Sequence, residues 1–565
     1  MNNARAGSPI TSARRKIATL VAAGALLSAA PLAAMAATPS NAEGPTAQNF
    51  MALSSTGSQS DWILPAGNYS GNRFLKEDQI TSTNVGQLQT AWTFTIPDDA
   101  PIETSPIMWN GMVYITSAHD DVYALDAKTG KLEWTFADHP TQIVGFSRNR
   151  GVAVLDGKVF IATIGGHLVA LDAKTGKKVW DKLEVKDPKT SFYTMQPVPY
   201  QHELLLGVSN GDWGGIGNIS AFSAENGDRL WEWDTIPKPG QPGNDTWSGD
   251  SWKRGGASVW SGIAIDPATH TLYADLGNPG PDFLSTFRKG DNLYSDSMVA
   301  LDISGKTPKL KWYHQFIAHD THDWDPAMPP VLFTGKVDGK EMKLAAAGDK
   351  AGNFWILNAT TGALVHHTAV SFQHNQNSAP SLQGNIACPS TNGGVEYNGG
   401  AYDPTTNTFF VPSANQCAAW KGNAKPVYIA GQFYLGGAFP KLTGPNWGWF
   451  NAVDVNSGVF SWRHYFGLPV DGGALVLSNG STSVVFTGEL GGNFDAFDGA
   501  TGKLLWHADT GASIAAPPAT YMDDGARYVV VASGQAGFLQ VPEMTKKMGP
   551  AVLTAFTLKP DSVTH

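Results

Sequence analysis

Charge is scarce in this chain. Asp, Glu, Lys and Arg make up 16% of its 565 residues, and the balance is acidic, at −10 with His neutral. No run of Lys or Arg interrupts that balance, which excludes a nucleic-acid partner gripped through its phosphates. Cysteine is rarer still. Only Cys388 and Cys417 occur, and no Cys-x-x-Cys-His is present, so the chain carries no covalently attached c-type haem. Beyond residue 36 no apolar run approaches a membrane span. Two residue types are abundant instead, with 62 Gly and 19 Trp. Sparse charge with plentiful Gly and Trp suits a turn-rich β protein better than a helical one.

The N-terminus reads as a secretory signal. Arg14, Arg15 and Lys16 precede an apolar stretch over 17–34, and Ala34-Met35-Ala36 has the small-x-small form of a cleavage site. A membrane anchor is the other reading; the Ala-rich composition, Pro31 and the cleavage site weigh against it. The division expected is a signal peptide over 1–36, a small, polar, flexible segment over 37–60 and a folded body over 61–565, exported to the periplasm. In an exported chain an even cysteine count favours a disulfide over two buried thiols.

From about residue 85 an internal repeat appears, of the form Ala-apolar-Asp/Asn-x-x-x-Gly-x-x-x-Trp. Clear copies lie at 124–134 (ALDAKTGKLEW), 170–180 (ALDAKTGKKVW) and 221–231 (AFSAENGDRLW), with looser ones at 300–312, 356–366, 452–462 and 496–506. Each copy reads as a strand end, a tight turn with Gly at positive φ, and a second strand opening on Trp. Apolar runs such as Met112–Thr116, 159–162 and 528–532 read as inner strands. Seven copies imply seven blades. An eighth would pair 87–94 (QLQTAWTF) with 551–558 (AVLTAFTL), closing the ring without open edges. The fold expected is all-β, an eight-bladed propeller with docking tryptophans. At roughly 65 residues per blade it exceeds common propeller repeats, and the surplus is expected in inserts near 232–257, 279–292 and 367–396.

A propeller fixes no reaction. The chemistry concentrates in residues 271–328, which hold Gly277-Asn278-Pro279, Arg288-Lys289-Gly290-Asp291-Asn292 and the cluster His319-Asp320-Thr321-His322-Asp323-Trp324-Asp325. In this order and spacing, the three motifs resemble those of the pyrroloquinoline quinone (PQQ) dependent alcohol dehydrogenases. The resemblance covers nearly all the chain after residue 50. It implies an eight-bladed propeller that binds PQQ and Ca²⁺ and oxidises an alcohol. It also implies a disulfide in the matching Cys388-Pro389-Ser390 context.

PQQ is a flat quinone with three carboxylates. It requires an aromatic floor, cationic and hydroxyl donors, and a hard cation near its reactive oxygen. By resemblance the floor is Trp260, and the metal ligands are Asp212, Asn278 and Asp325. The cofactor-binding set adds Glu103, Arg150, Thr163, Ser209, Gly211, Ser258 and Lys350 to Asp212 and Trp260. Asp325 is the implied base for the alcohol proton, and Lys350 the group that stabilises charge on the quinone oxygens.

The sequence departs from the family's pattern in three places. Asp212 stands where the family has Glu. An adjacent Cys pair that roofs the cofactor would fall at Val144-Gly145 and is missing, leaving Phe146 as the replacement expected. Glu396 falls where an Asn is usual, with Asn398 two residues on. An extra Asp of the lanthanide-using branch is replaced by Ala327, which favours calcium. The partners implied are a small-molecule alcohol and a separate acceptor, a c-type cytochrome, and the relatives include homodimers. A cofactor-free scaffold of the outer-membrane assembly type is the competing reading.

Overall fold

A computed structural model of the protein describes residues 45–56, 60–98, 100–137, 145–284, 286–535 and 549–558. The signal sequence and Val144 lie outside these residues. Within the stretch expected to be flexible, Ala47–Thr56 form a helix whose Phe50 is fully buried against Tyr69.

The strands assort into eight sheets, each of four or five strands. The second illustrates the pattern: Ala153–Leu155, Lys158–Ala162, His167–Asp172 and Lys178–Leu183, paired antiparallel in order. Its middle strands are buried on both faces, because each blade is sandwiched between two neighbours. That is why they read as near-continuous apolar runs. The outermost strand, KVWDKL, alternates with solvent and carries Lys178, Asp181 and Lys182, charges that blunt an exposed edge.

The ring closes as the repeats imply. Gln89–Thr95 pairs with Val552–Thr557 in one blade, joining the second strand of the chain to the last one described. A second clasp appears only in the structure. Phe74–Lys76 adds a parallel fifth strand to the blade begun by Ala474–Ser478.

The tryptophans do what inter-blade packing requires. Trp134 donates its indole N–H to the Ala173 carbonyl of the next blade at 3.0 Å. Trp92, Trp312, Trp462 and Trp506 make the same bond to Ala127, Ala359, Gly499 and Leu88. The indole lies on the next repeat's glycine: a Cβ on Gly176 would sit 2.5 Å from Trp134. The copy that ends in His366 keeps the arrangement, with the imidazole beside Gly458. Trp231 instead turns to Glu203 of its own blade.

One feature is larger than the sequence suggests. The sixth blade contains Thr408–Gly422 and Gly437–Asp454, strands of 15 and 18 residues that project as a long hairpin arm. The disulfide Cys388–Cys417 ties this arm to the strand Asn385–Ala387.

Candidate active site

Loops at the ends of inner strands from six blades meet around one cleft. It encloses about 1030 Å³, part of it open to solvent. Glu103 precedes the first blade, and Arg148 and Arg150 precede the second. Ser209 to Trp213 follow the inner strand Glu203–Gly207, with Gly211–Trp213 forming a 3-10 turn. Ser258 and Trp260 precede Ile263–Asp266, and Asn278 follows Thr271–Leu276. Asp323 and Asp325 lie before Val331–Val337, Lys350 follows Lys340–Gly348, and Glu396 enters from the sixth blade.

Trp260 is the hub. Its indole N–H donates to Asp325 Oδ2 at 2.5 Å, and its carbonyl accepts from Arg150 Nη1 at 3.1 Å and Thr194 Oγ1 at 3.0 Å. Arg150 lies 5.0 Å from the indole centroid and Lys350 Nζ 5.2 Å, so two cations face one ring. Lys350 Nζ meets Asp325 Oδ1 at 2.7 Å and Asp323 Oδ1 at 3.2 Å. Burial pulls the Lys350 ammonium down, but Asp323, Asp325, Glu396 and Asp212 together hold it well above the usual lysine value. Glu103 bridges Arg148 at 2.6 Å and Arg150 at 2.8 Å.

The acids outnumber these cations, and burial shows in their proton affinities. Desolvation pushes Asp212 up to about 6, against the opposing pull of Lys350 and the Asn278 amide. It pushes Glu396 up to about 8.

The sequence-derived set assembles almost whole. Glu103, Arg150, Ser209, Gly211, Asp212, Ser258, Trp260, Asn278, Asp325 and Lys350 all line the cleft, as does Phe146. Thr163 does not, which corrects that expectation. Its hydroxyl accepts from the His167 amide at 3.0 Å and pins the turn between two strands of its own blade. Asn398 also turns away, donating its amide to the Asp471 carbonyl. Arg288, central to the second motif, is fully buried and bonds the Pro281, Asp282 and Asp320 carbonyls and Asn292 Oδ1. It staples the Asn278 loop to the acidic loop without touching the cleft. The capping role open to any Asp of the cluster falls to Asp320, whose carboxylate accepts from the His322 and Trp324 amides, both at 2.9 Å. That leaves Asp325 facing inward.

Sequence reasoning named one ring of the roof, Phe146, and missed the other two. Trp213 and Phe433 pack at 4.6 Å between centroids, with Phe146 at 5.3 Å from each. Phe433 comes from the turn of the hairpin arm, which latches down through Tyr434 N–H to the Asp212 carbonyl at 2.6 Å. Arg148 and Thr194 were also missed, although Arg148 stands two residues before Arg150 and lines the same cleft.

The model of the PQQ glucose/ethanol/alcohol dehydrogenase β-propeller family matches residues 62–371 and 367–529. The chain belongs to this family. It is 32% identical over 512 residues to the quinoprotein alcohol dehydrogenase PedH of Pseudomonas putida, covering 83% of this chain and 85% of that protein. The lanthanide-dependent methanol dehydrogenase of Methylacidiphilum fumariolicum is 29% identical over 528 residues, 85% of each chain. Among solved structures, the quinohemoprotein alcohol dehydrogenase ADHIIG of Pseudomonas putida superposes with a TM-score of 0.82 at 26% identity, over 92% of this chain and 82% of that one. A europium-containing methanol dehydrogenase gives 0.80 at 27%, over 89% and 98%. This quinoprotein is therefore a PQQ-dependent alcohol dehydrogenase, which decides against the scaffold reading.

The cleft fits such a cofactor. It pairs an indole floor with an aromatic roof, and it sets Arg148, Arg150 and Lys350 beside the hydroxyls of Ser209, Ser258 and Thr194. The carboxylates of a flat trianion match these donors. Among the described residues no three His, Cys, Asp or Glu side chains converge as a metal site. Asp212, Asn278 and Asp325 offer two carboxylates and an amide, fewer oxygens than the roughly six to eight a calcium ion takes, so a metal ion there would need further oxygens from a bound ligand or water.

Proposed function

We propose that this quinoprotein oxidises alcohols with an apolar body to aldehydes or ketones, using Ca²⁺ as the metal and Asp325 as the base. The observation that carries the reading is the position of Asp325. One carboxylate oxygen is fixed by the Trp260 indole and the other by Lys350, in a cleft closed above by aromatic rings. When bound, PQQ supplies the two-electron acceptor and the metal a Lewis acid. Trp260 would carry the quinone face, and Glu103, Arg150, Ser209, Gly211, Ser258 and Lys350 its polar edge. Asp212, Asn278 and Asp325 would hold the metal. Calcium is favoured over a lanthanide because Ala327, fully buried, offers no further carboxylate.

Asp325 takes the hydroxyl proton, and Lys350, held cationic by its four acids, balances the charge that builds beside it. The roof excludes water from that exchange. Its outer rings, Phe433 at 38% and Phe439 at 51% exposure, give the mouth an apolar rim. Methanol has nothing to set against such a rim, whereas an aryl or longer alkyl alcohol does. Export through the 1–36 leader would place the enzyme in the periplasm, where a separate c-type cytochrome would take the electrons.

The test is Asp325→Asn in enzyme reconstituted with PQQ and Ca²⁺, assayed by dye reduction with ethanol, hexanol and benzyl alcohol. Turnover should fall about 10²–10⁴-fold, while PQQ absorbance shows the cofactor retained. Full activity in that variant removes Asp325 as the base. With methanol added to the panel, a wild type that prefers it over hexanol and benzyl alcohol removes the apolar-substrate reading alone.

A further inference from the structure

Beside the active cleft lies a second cavity of about 710 Å³, part of it open to solvent. Glu103, Arg150 and Tyr397 line both spaces and form the partition between them. Arg73 enters this second cavity from the segment before Phe74–Lys76. It is 4% exposed, yet among the described residues its guanidinium makes one long hydrogen bond, from Nη1 to the Pro518 carbonyl at 3.5 Å.

The contrast with the other buried guanidiniums is plain. Arg527 pairs with Glu77 at 2.8 Å, Arg150 with Glu103 at 2.8 Å, and Arg288 bonds four acceptor groups. Among the described residues no carboxylate lies within ion-pair range of Arg73. Burial alone acts on it, lowering it to about 9 with no acid to offset the loss. A buried cation without a counter-charge destabilises the fold. The lining has three charged side chains, Arg73 and Arg150 positive and Glu103 negative, so the cavity wall is net +1. Glu103 is also shared with Arg148 on the far side. Around the same space, Asn68 Oδ1, Gln196 Oε1 and Asn398 Oδ1 are buried without a hydrogen-bond partner among the described residues, and so is the Arg150 Nε donor.

We propose that this cavity is an anion site, in which a small monovalent inorganic anion of chloride size sits on Arg73. Water alone would satisfy the N–H groups but leave the charge uncompensated. The three orphaned amide oxygens are acceptors and would repel a bare anion. They call for water between themselves and the ion, which a small hydrated halide permits and a bulky organic acid does not. The site is separate from the PQQ cleft and does not depend on the catalytic reading.

The experiment compares thermal unfolding of the PQQ-loaded protein, with metal ion in excess, in chloride, bromide and gluconate at matched ionic strength. Chloride and bromide should raise Tm with the logarithm of their concentration once the site is saturated, and gluconate should not. Arg73→Met should remove the halide-specific rise, and Arg73→Lys should retain part of it. Should Arg73→Met fail to fold, a bromide-soaked crystal of the wild type decides. An anomalous peak beside Arg73 supports the site. Equal Tm in all three salts, the same halide response in Arg73→Met, or no bromide at Arg73 overturns it.

Discussion

The seams between blades can be tested by one pair of glycines. Gly176 and Gly157 lie in the same blade, with φ of +68° and +72°. Both conformations cost an L-residue about 1–2 kcal/mol. They differ in what a methyl group would meet. At Gly157 nothing lies within 4 Å, whereas at Gly176 the new Cβ would be 2.5 Å from Cε3 of Trp134 in the preceding blade. That distance is far inside carbon contact. The indole must move, and moving it strains the bond to the Ala173 carbonyl. Overpacking of this kind costs about 1–3 kcal/mol. Gly157→Ala should therefore lose about 1–2 kcal/mol and Gly176→Ala about 2–5 kcal/mol. Urea unfolding of the two single variants measures the difference directly. The control is a Trp134→Ala background. With the indole gone, Gly176→Ala should cost no more than Gly157→Ala, although the background itself is less stable by about 3–5 kcal/mol. Equal losses for the two glycines in the wild-type background would refute the docking argument and reduce the repeat glycine to turn geometry.

Two further outcomes follow from groups remote from the cleft. Burial, with the charge of Glu489 adding to it, raises Asp495 from 3.8 to about 7. The native state thus binds this proton more tightly than the unfolded chain. Stability falls as pH rises from about 4 to 7 and levels off above that. Asp495→Asn should match the wild type at pH 4 and exceed it at pH 8 by up to about 4 kcal/mol. Stability curves that run parallel across this range would show that Asp495 is not the titrating group. The disulfide Cys388–Cys417 spans a sequence separation of 29. Opening a loop of that size should lower stability by about 3–4 kcal/mol, measurable as a drop in urea midpoint on phosphine reduction; an unchanged midpoint contradicts that magnitude.

What could be read from the sequence was whatever its own neighbours decide. The tryptophan and glycine of each repeat are visible because one turn places both, and the ring then follows by repetition. The short loops holding Asn278 and Asp325 are visible because their chemistry is dense over a few residues. The hairpin arm left no such trace. Before the repeat copy that opens at Ala452, its strands mix small, polar and aromatic residues without the repeat, and what Phe433 covers is set some 220 positions away at Trp213. Thr163 shows the converse failure, since a hydroxyl at the end of a strand serves a turn as well as it serves a ligand.

The acidic cluster shows where residue type stops being informative. Asp320, Asp323 and Asp325 share one loop, and nothing in their identities separates them. Their roles divide because Arg288 grips the Asp320 carbonyl and orients that residue to cap the loop. With Asp320 committed to the backbone, the chain that follows turns Asp323 and Asp325 toward Lys350. A buried arginine outside the cleft thus selects which acids face it, and the second motif earns its place in the sequence by positioning the third.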